Sequence, residues 1–145
     1  MAEDGIRVDV EWAGALRFVA QGVQSQQTFV MEAGPSTGEP RQGVSPTEAL
    51  VASVAGCSGM DIMSILTKMR QDVTGFTTHV VGYRREEHPR GMVKVEVEYV
   101  LRGKNLSEAA VARAVELSRT KYCGVMASLK AEIITTFRIQ EQEGA

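Results

Sequence analysis

The chain has 145 residues, 43% hydrophobic and 23% charged, with a net charge of −2. This is the composition of one globular domain with its own core, and it excludes a disordered chain. The near-balanced charge offers no positive field for nucleic acid or anionic lipid. Two cysteines are too few for the disulfide framework of a small secreted domain. We therefore expect a single domain over residues 1–145, with no nucleic-acid partner and no membrane partner.

The N-terminus, Met1-Ala2-Glu3-Asp4-Gly5, is acidic and lacks the basic and apolar segments of a signal peptide. Residues 49–60 carry no charge but are closed by Asp61, and so read as a buried helix rather than a membrane span. The expected location is the cytoplasm, where thiols stay reduced.

Ile6, Val8, Val10 and Trp12 alternate with Arg7, Asp9 and Glu11, the period of a half-buried strand. Leu16, Phe18 and Ala20 predict a second strand after the turn at Ala13-Gly14, and residues 28–32 a third. The short connections predict an antiparallel meander. Residues 34–44 hold Pro35, Gly38, Pro40 and Gly43, and read as a loop long enough to act as a flap.

Ser45-Pro46-Thr47-Glu48 is a helix start, with Ser45 as N-cap, Pro46 as first helical residue and Glu48 completing a capping box. The helix is predicted to run to about Gln71. Leu50, Val51, Val54, Ile62, Ile65, Leu66 and Met69 wrap most of its circumference, so it is expected to be buried on all sides. Its small residues, Gly56 and Gly59 among them, let another backbone approach, and a second subunit is the expected cover.

Residues 73–87 and 91–103 predict two long strands joined at His88-Pro89-Arg90-Gly91. Asn105-Leu106-Ser107-Glu108 is a second capping-box candidate, opening a helix to about Thr120. A short helical piece over 126–130 follows. Ile133, Thr135, Phe137 and Ile139 form a last strand before a polar tail. Strands, long helix, strands, helices and strand in that order predict the α+β class.

The chain has no Gly-rich phosphate loop, no HExxH and no CxxC. His79 and His88 read as a strand residue and a turn residue, not as metal ligands, since a structural zinc needs four suitable donors. Cys57 lies within the long helix and Cys123 at the break before the last helical piece. Both are inert buried residues on one reading and reactive thiols on the other. A reactive thiolate needs a cation or a helix N-terminus beside it. Asp61, one turn past Cys57, opposes a thiolate there, and Arg41 in the Gly/Pro loop is the nearest basic candidate by chain position.

Ser45-Pro46-Thr47-Glu48-Ala49-Leu50 followed by Gly56-Cys57 resembles the SP-x-E-L…C signature of the OsmC/Ohr family of organic hydroperoxide reductases. Glu86-Glu87-His88-Pro89, Ala114-Val115-Glu116-Leu117-Ser118 and Lys121-Tyr122-Cys123 are similar to its OsmC-like branch. The resemblance implies an intertwined homodimer with antiparallel sheets wrapped around long central helices. It implies Cys57 as the thiol that attacks an organic hydroperoxide and Cys123 as the thiol that resolves the sulfenic acid into a disulfide. A dithiol such as dihydrolipoamide would reduce that disulfide, and no cofactor or metal is implied. The family's Glu, ten residues before the first Cys, is matched here by Thr47. Arg41 and Glu48 are the candidates to assist Cys57, Glu48 having its capping box as an alternative role. Met60, Met63 and Met69 read either as core or as the lining of an apolar substrate pocket. The alternative to the peroxidase is a dimeric binding module of the same fold that holds an apolar small molecule.

Overall fold

The computed structural model describes residues 5–34 and 40–141. They divide into two compact units, with the boundary between Leu50 and Val51.

The first unit holds the predicted meander. Strands β1 (Val8–Trp12), β2 (Arg17–Gly22) and β3 (Thr28–Glu32) pair antiparallel in that order. Gly14 and Ala15 take positive φ in the first turn, where the Trp12 indole donates to the Ala15 carbonyl at 2.8 Å. Glu32 is buried, and its carboxylate accepts from Arg17 at 3.1 Å and from the Gln42 N–H at 2.7 Å. Val44 bridges to Met31. Gly43 lies so close to the Val30 carbonyl that any Cβ would strike it. The segment that carries Arg41 is thus tied to β3 on its C-terminal side. The flap read over 34–44 falls partly on 35–39, outside the described residues.

Helix α1 (Pro46–Lys68) opens with the predicted capping box: the Glu48 N–H donates to Ser45 Oγ at 3.1 Å, and the Ser45 N–H to Glu48 Oε1 at 2.9 Å. The helix ends three residues earlier than predicted. Arg70 adopts a left-handed φ of 57°, and the Gln71 and Arg70 N–H groups close onto the Leu66 and Thr67 carbonyls. That is a Schellman stop, made here without the usual glycine.

The second unit has a mixed sheet of β4 (Asp72–Arg84), β5 (Met92–Lys104) and β6 (Glu132–Glu141), in that order. The β4–β5 hairpin is antiparallel, whereas β6 runs parallel to β5. A parallel neighbour needs a crossover, and residues 105–131 supply it. It contains α2 (Glu108–Leu117), a π-helical turn (Ser118–Tyr122) and α3 (Gly124–Ala127). Ser107, not Asn105, caps α2, accepting from the Ala110 N–H at 3.1 Å; Asn105 stands at φ 52° just before it.

One apolar core fills this unit. Val54, Ile62 and Leu66 of α1 meet Val95, Val97, Tyr99 and Leu101 of β5 and the inner face of α2. Burying each large aliphatic side chain contributes about 1.5–3 kcal/mol. The buried residues of α1 are Val54, Ser58, Ile62 and Leu66, a single strip at spacing four. Met60, on another side, is 75% exposed. One chain therefore covers only part of the helix that the sequence predicts to be buried all round. By length and composition α1 could cross a bilayer, its mean hydropathy reaching 1.7. Its polar Ser58 and Asp61 nevertheless find their partners inside the protein.

Candidate functional site

Cys57 and Asp61 stand one turn apart on α1, so helix geometry places them on one face. Cys123 arrives from the crossover. Its N–H closes the π-helical turn onto the Ser118 carbonyl at 2.8 Å, which stacks residues 118 and 123 one turn apart in their own segment. The two pairs then meet. The Ser118 hydroxyl donates to Asp61 Oδ2 at 2.9 Å. The Cys57 and Cys123 sulfurs and an Asp61 carboxylate oxygen all lie within 4.8 Å of one another. Both thiols are free.

A buried hydroxyl network borders this cluster. Tyr99 Oη donates to Ser58 Oγ at 2.6 Å, and Ser58 Oγ donates to the Val54 carbonyl at 2.7 Å. Phe76 meets the Tyr99 ring edge-on, with centroids 5.9 Å apart. Burial raises the Tyr99 pKa and keeps the phenol protonated as a donor.

The two sulfurs differ. Cys123 is 4% exposed, and burial pushes its thiol pKa up. The Met126 N–H, which donates to Cys123 Sγ at 3.4 Å, works against that rise, while the adjacent Cys57 sulfur adds to it. Cys123 is therefore a protonated thiol at neutral pH. Cys57 is half-buried and is the sulfur more open to a reagent from outside.

A cavity of about 350 Å³ opens beside the cluster, and Asp61 forms part of its wall with Ser64, Lys68, Leu117 and Tyr122. Its lining joins the apolar side chains of Ile65, Met69 and Leu117 to one carboxylate, one ammonium and two hydroxyls, which suits a molecule with an apolar body and a polar end. Of the three methionines considered from sequence, Met69 lines this cavity and Met60 is largely exposed.

Arg41 and Glu48 belong to the first unit. Arg41 Nε donates to the Gly34 carbonyl at 3.2 Å, and the side chain is exposed. The Glu48 carboxylate is held below the usual range chiefly by the Ser45 N–H, then by the Ser45 hydroxyl, with a smaller contribution from the Arg41 charge. The two candidates thus sense each other, while Glu48 also performs its capping role. Thr47 Oγ1 lies 3.3 Å from Ser45 Oγ. His79 is exposed on β4, and His88 sits in the hairpin turn; neither belongs to the thiol cluster.

Ser58, Tyr99 and Ser118 were not singled out from sequence as site residues. Tyr99 carries the inward phase of its strand, and Ser118 closes the Ala114–Ser118 motif, but no spacing rule links either to position 57. Asp61 reads from sequence only as an obstacle to a thiolate, whereas the structure gives its carboxylate a hydrogen-bond partner, two sulfurs within 4.8 Å and a place in the cavity wall.

The family model for OsmC-like proteins matches residues 37–138. Protein YhfA of Escherichia coli K12 is 35% identical over 127 residues, covering 88% of this chain and 91% of that protein. The crystal structure of a hypothetical protein from Aquifex aeolicus VF5 superposes with a TM-score of 0.83 at 27% identity, over 97% of this chain and 99% of that one. The organic hydroperoxide resistance protein OhrB of Bacillus subtilis superposes with a TM-score of 0.62 at 14% identity, over 96% and 100%, a likeness of fold.

Proposed function

This chain belongs to the OsmC-like protein family, and on that premise we propose that it is a thiol peroxidase that reduces organic hydroperoxides in oxidative-stress defence. The observation that carries the reading is the meeting of a half-buried Cys57 with a buried Cys123, their sulfurs within 4.8 Å. The Cys57 thiolate attacks the terminal peroxide oxygen, the O–O bond breaks, and the departing alkoxide takes a proton to leave as an alcohol. Cys57 becomes a sulfenic acid. Cys123 sulfur attacks it, water leaves, and a disulfide forms. The sulfurs must close by at most about 3 Å to reach the disulfide length of about 2.0 Å. A dithiol such as dihydrolipoamide then reduces the disulfide by exchange.

A carboxylate beside a sulfur disfavours negative charge there. The reading therefore needs a cation, and we assign that role to Arg41, with Glu48 as its partner. The assembly is a homodimer, a state common in this family, and the partner covers the apolar side of α1 that holds Met60. The location is the cytoplasm, where a dithiol pool keeps both cysteines reduced.

A second reading, a binding module for an apolar small molecule, draws on the cavity beside Asp61. One experiment separates the two. Reduced protein is mixed with one equivalent of cumene hydroperoxide and its intact mass is followed. The peroxidase loses two hydrogens quickly, Cys57→Ser abolishes the loss, and Cys123→Ser leaves Cys57 one oxygen heavier. Oxidation no faster than that of free cysteine overturns the peroxidase and leaves the binding module.

A further inference from the structure

We propose that the reduced thiol pair, together with Asp61, is a binding site for a thiophilic divalent metal of the zinc type. Three side chains from two elements bring one donor atom each to within 4.8 Å of the others: Cys57 Sγ and an Asp61 oxygen from α1, and Cys123 Sγ from the crossover. Zinc bonds of about 2.3 Å to sulfur and 2.0 Å to oxygen place tetrahedral donors about 3.5–3.8 Å apart. No pair here has to close by more than about 1.3 Å on that scale. Cys57 and Asp61 supply ligands at positions i and i+4 of one helix, the spacing at which a helix presents two donors to a single ion.

The donor set selects the metal. Two thiolates and a carboxylate suit Zn²⁺ or Cd²⁺, not Mg²⁺ or Ca²⁺. Both sides of the site already have outer partners: Ser118 Oγ fixes Asp61 at 2.9 Å, and the Met126 N–H reaches Cys123 Sγ. Entry is by way of the cavity, since Asp61 is part of its wall. The fourth position is left for water, because three protein donors do not complete a tetrahedron. Binding forms two metal–sulfur bonds and one metal–oxygen bond, and any thiol proton present is released as its sulfur binds.

The regulatory consequence rests on the peroxidase reading. The sulfurs that hold the metal are those that react with peroxide, so the metal and the hydroperoxide exclude each other. The disulfide offers no thiolate and releases the ion. Metal occupancy is thus an inhibited, reduced state of the site.

The test is an anaerobic titration of the full-length reduced protein with Co²⁺. A thiolate-to-cobalt charge-transfer band with tetrahedral visible absorption is expected at one equivalent per chain, and Zn²⁺ is expected to displace it. Cys57→Ser and Cys123→Ser each lose the two-thiolate spectrum. Asp61→Asn keeps both sulfurs and weakens binding at least tenfold. Ser118→Ala, which leaves all three ligands, weakens it about tenfold. The disulfide form gives no band. A spectrum lacking the band overturns the proposal, as does an affinity indifferent to Asp61→Asn. Cobalt binding by a protein whose thiols oxidise no faster than free cysteine leaves the metal site standing and removes the peroxidase reading instead.

Discussion

Inside the core the Ser58 hydroxyl donates to the Val54 carbonyl and accepts from Tyr99. Removing the phenol oxygen leaves a buried acceptor with one partner fewer. Tyr99→Phe is expected to lose about 1 kcal/mol of stability in urea unfolding. A change within the error of that measurement would show that the network carries no net energy. Glu48 makes a pH-dependent contribution instead. Its folded pKa lies below the ordinary glutamate value of 4.5, first because the Ser45 N–H donates to it. The charged form is the one the fold favours, so its contribution is fully present above that value and is lost as pH falls through the lowered folded pKa. Wild type is expected to melt above Glu48→Gln at neutral pH, the two converging in acid. A gap that persists or widens in acid would reverse the sign of the effect. Thr47, one residue earlier, cannot replace the charge, so Arg41 depends on Glu48 and Glu32 for its nearby anions.

At the scale of elements, the crossover decides where the chemistry sits. Ser107 starts α2, and the π-helical turn after Leu117 brings Ser118 and Cys123 to α1. Ser107→Ala removes the cap that satisfies the Ala110 N–H and is expected to cost about 1 kcal/mol, read as a lower denaturation midpoint with an unchanged slope. The capping box of α1 and the strand periods were legible because each is written within a few adjacent residues, whereas the box read at Asn105–Glu108 gave way to a cap by Ser107. The π-helical turn was not legible, since it lies at the end of α2 and no further turn of that helix follows in which a shifted apolar period could be read. The parallel return of β6 was equally hidden, because alternation gives a strand its faces but not its direction.

For the whole molecule, the exposed side of α1 bears on assembly. Met60 is 75% exposed on a helix whose residues are apolar nearly all round. With a second copy as its cover, Met60→Glu is expected to shift the protein from dimer to monomer in sedimentation velocity, at unchanged helix content. A wild-type monomer at micromolar concentration would remove the dimer and leave that side of α1 unexplained.

The sequence by itself determined the α+β class, the meander and the long capped helix, and it carried the resemblance to a known family. These rest on local chemistry: caps, periods, and residue types at fixed spacing. Only the tertiary structure decided that Asp61 joins the sulfurs, that Ser118 holds it, and that Cys123 is the buried member of the pair. Residues 57 and 123 are 66 positions apart in the chain. Their meeting depends on a crossover packed across one sheet, and that packing is a property of the whole core rather than of any segment of it.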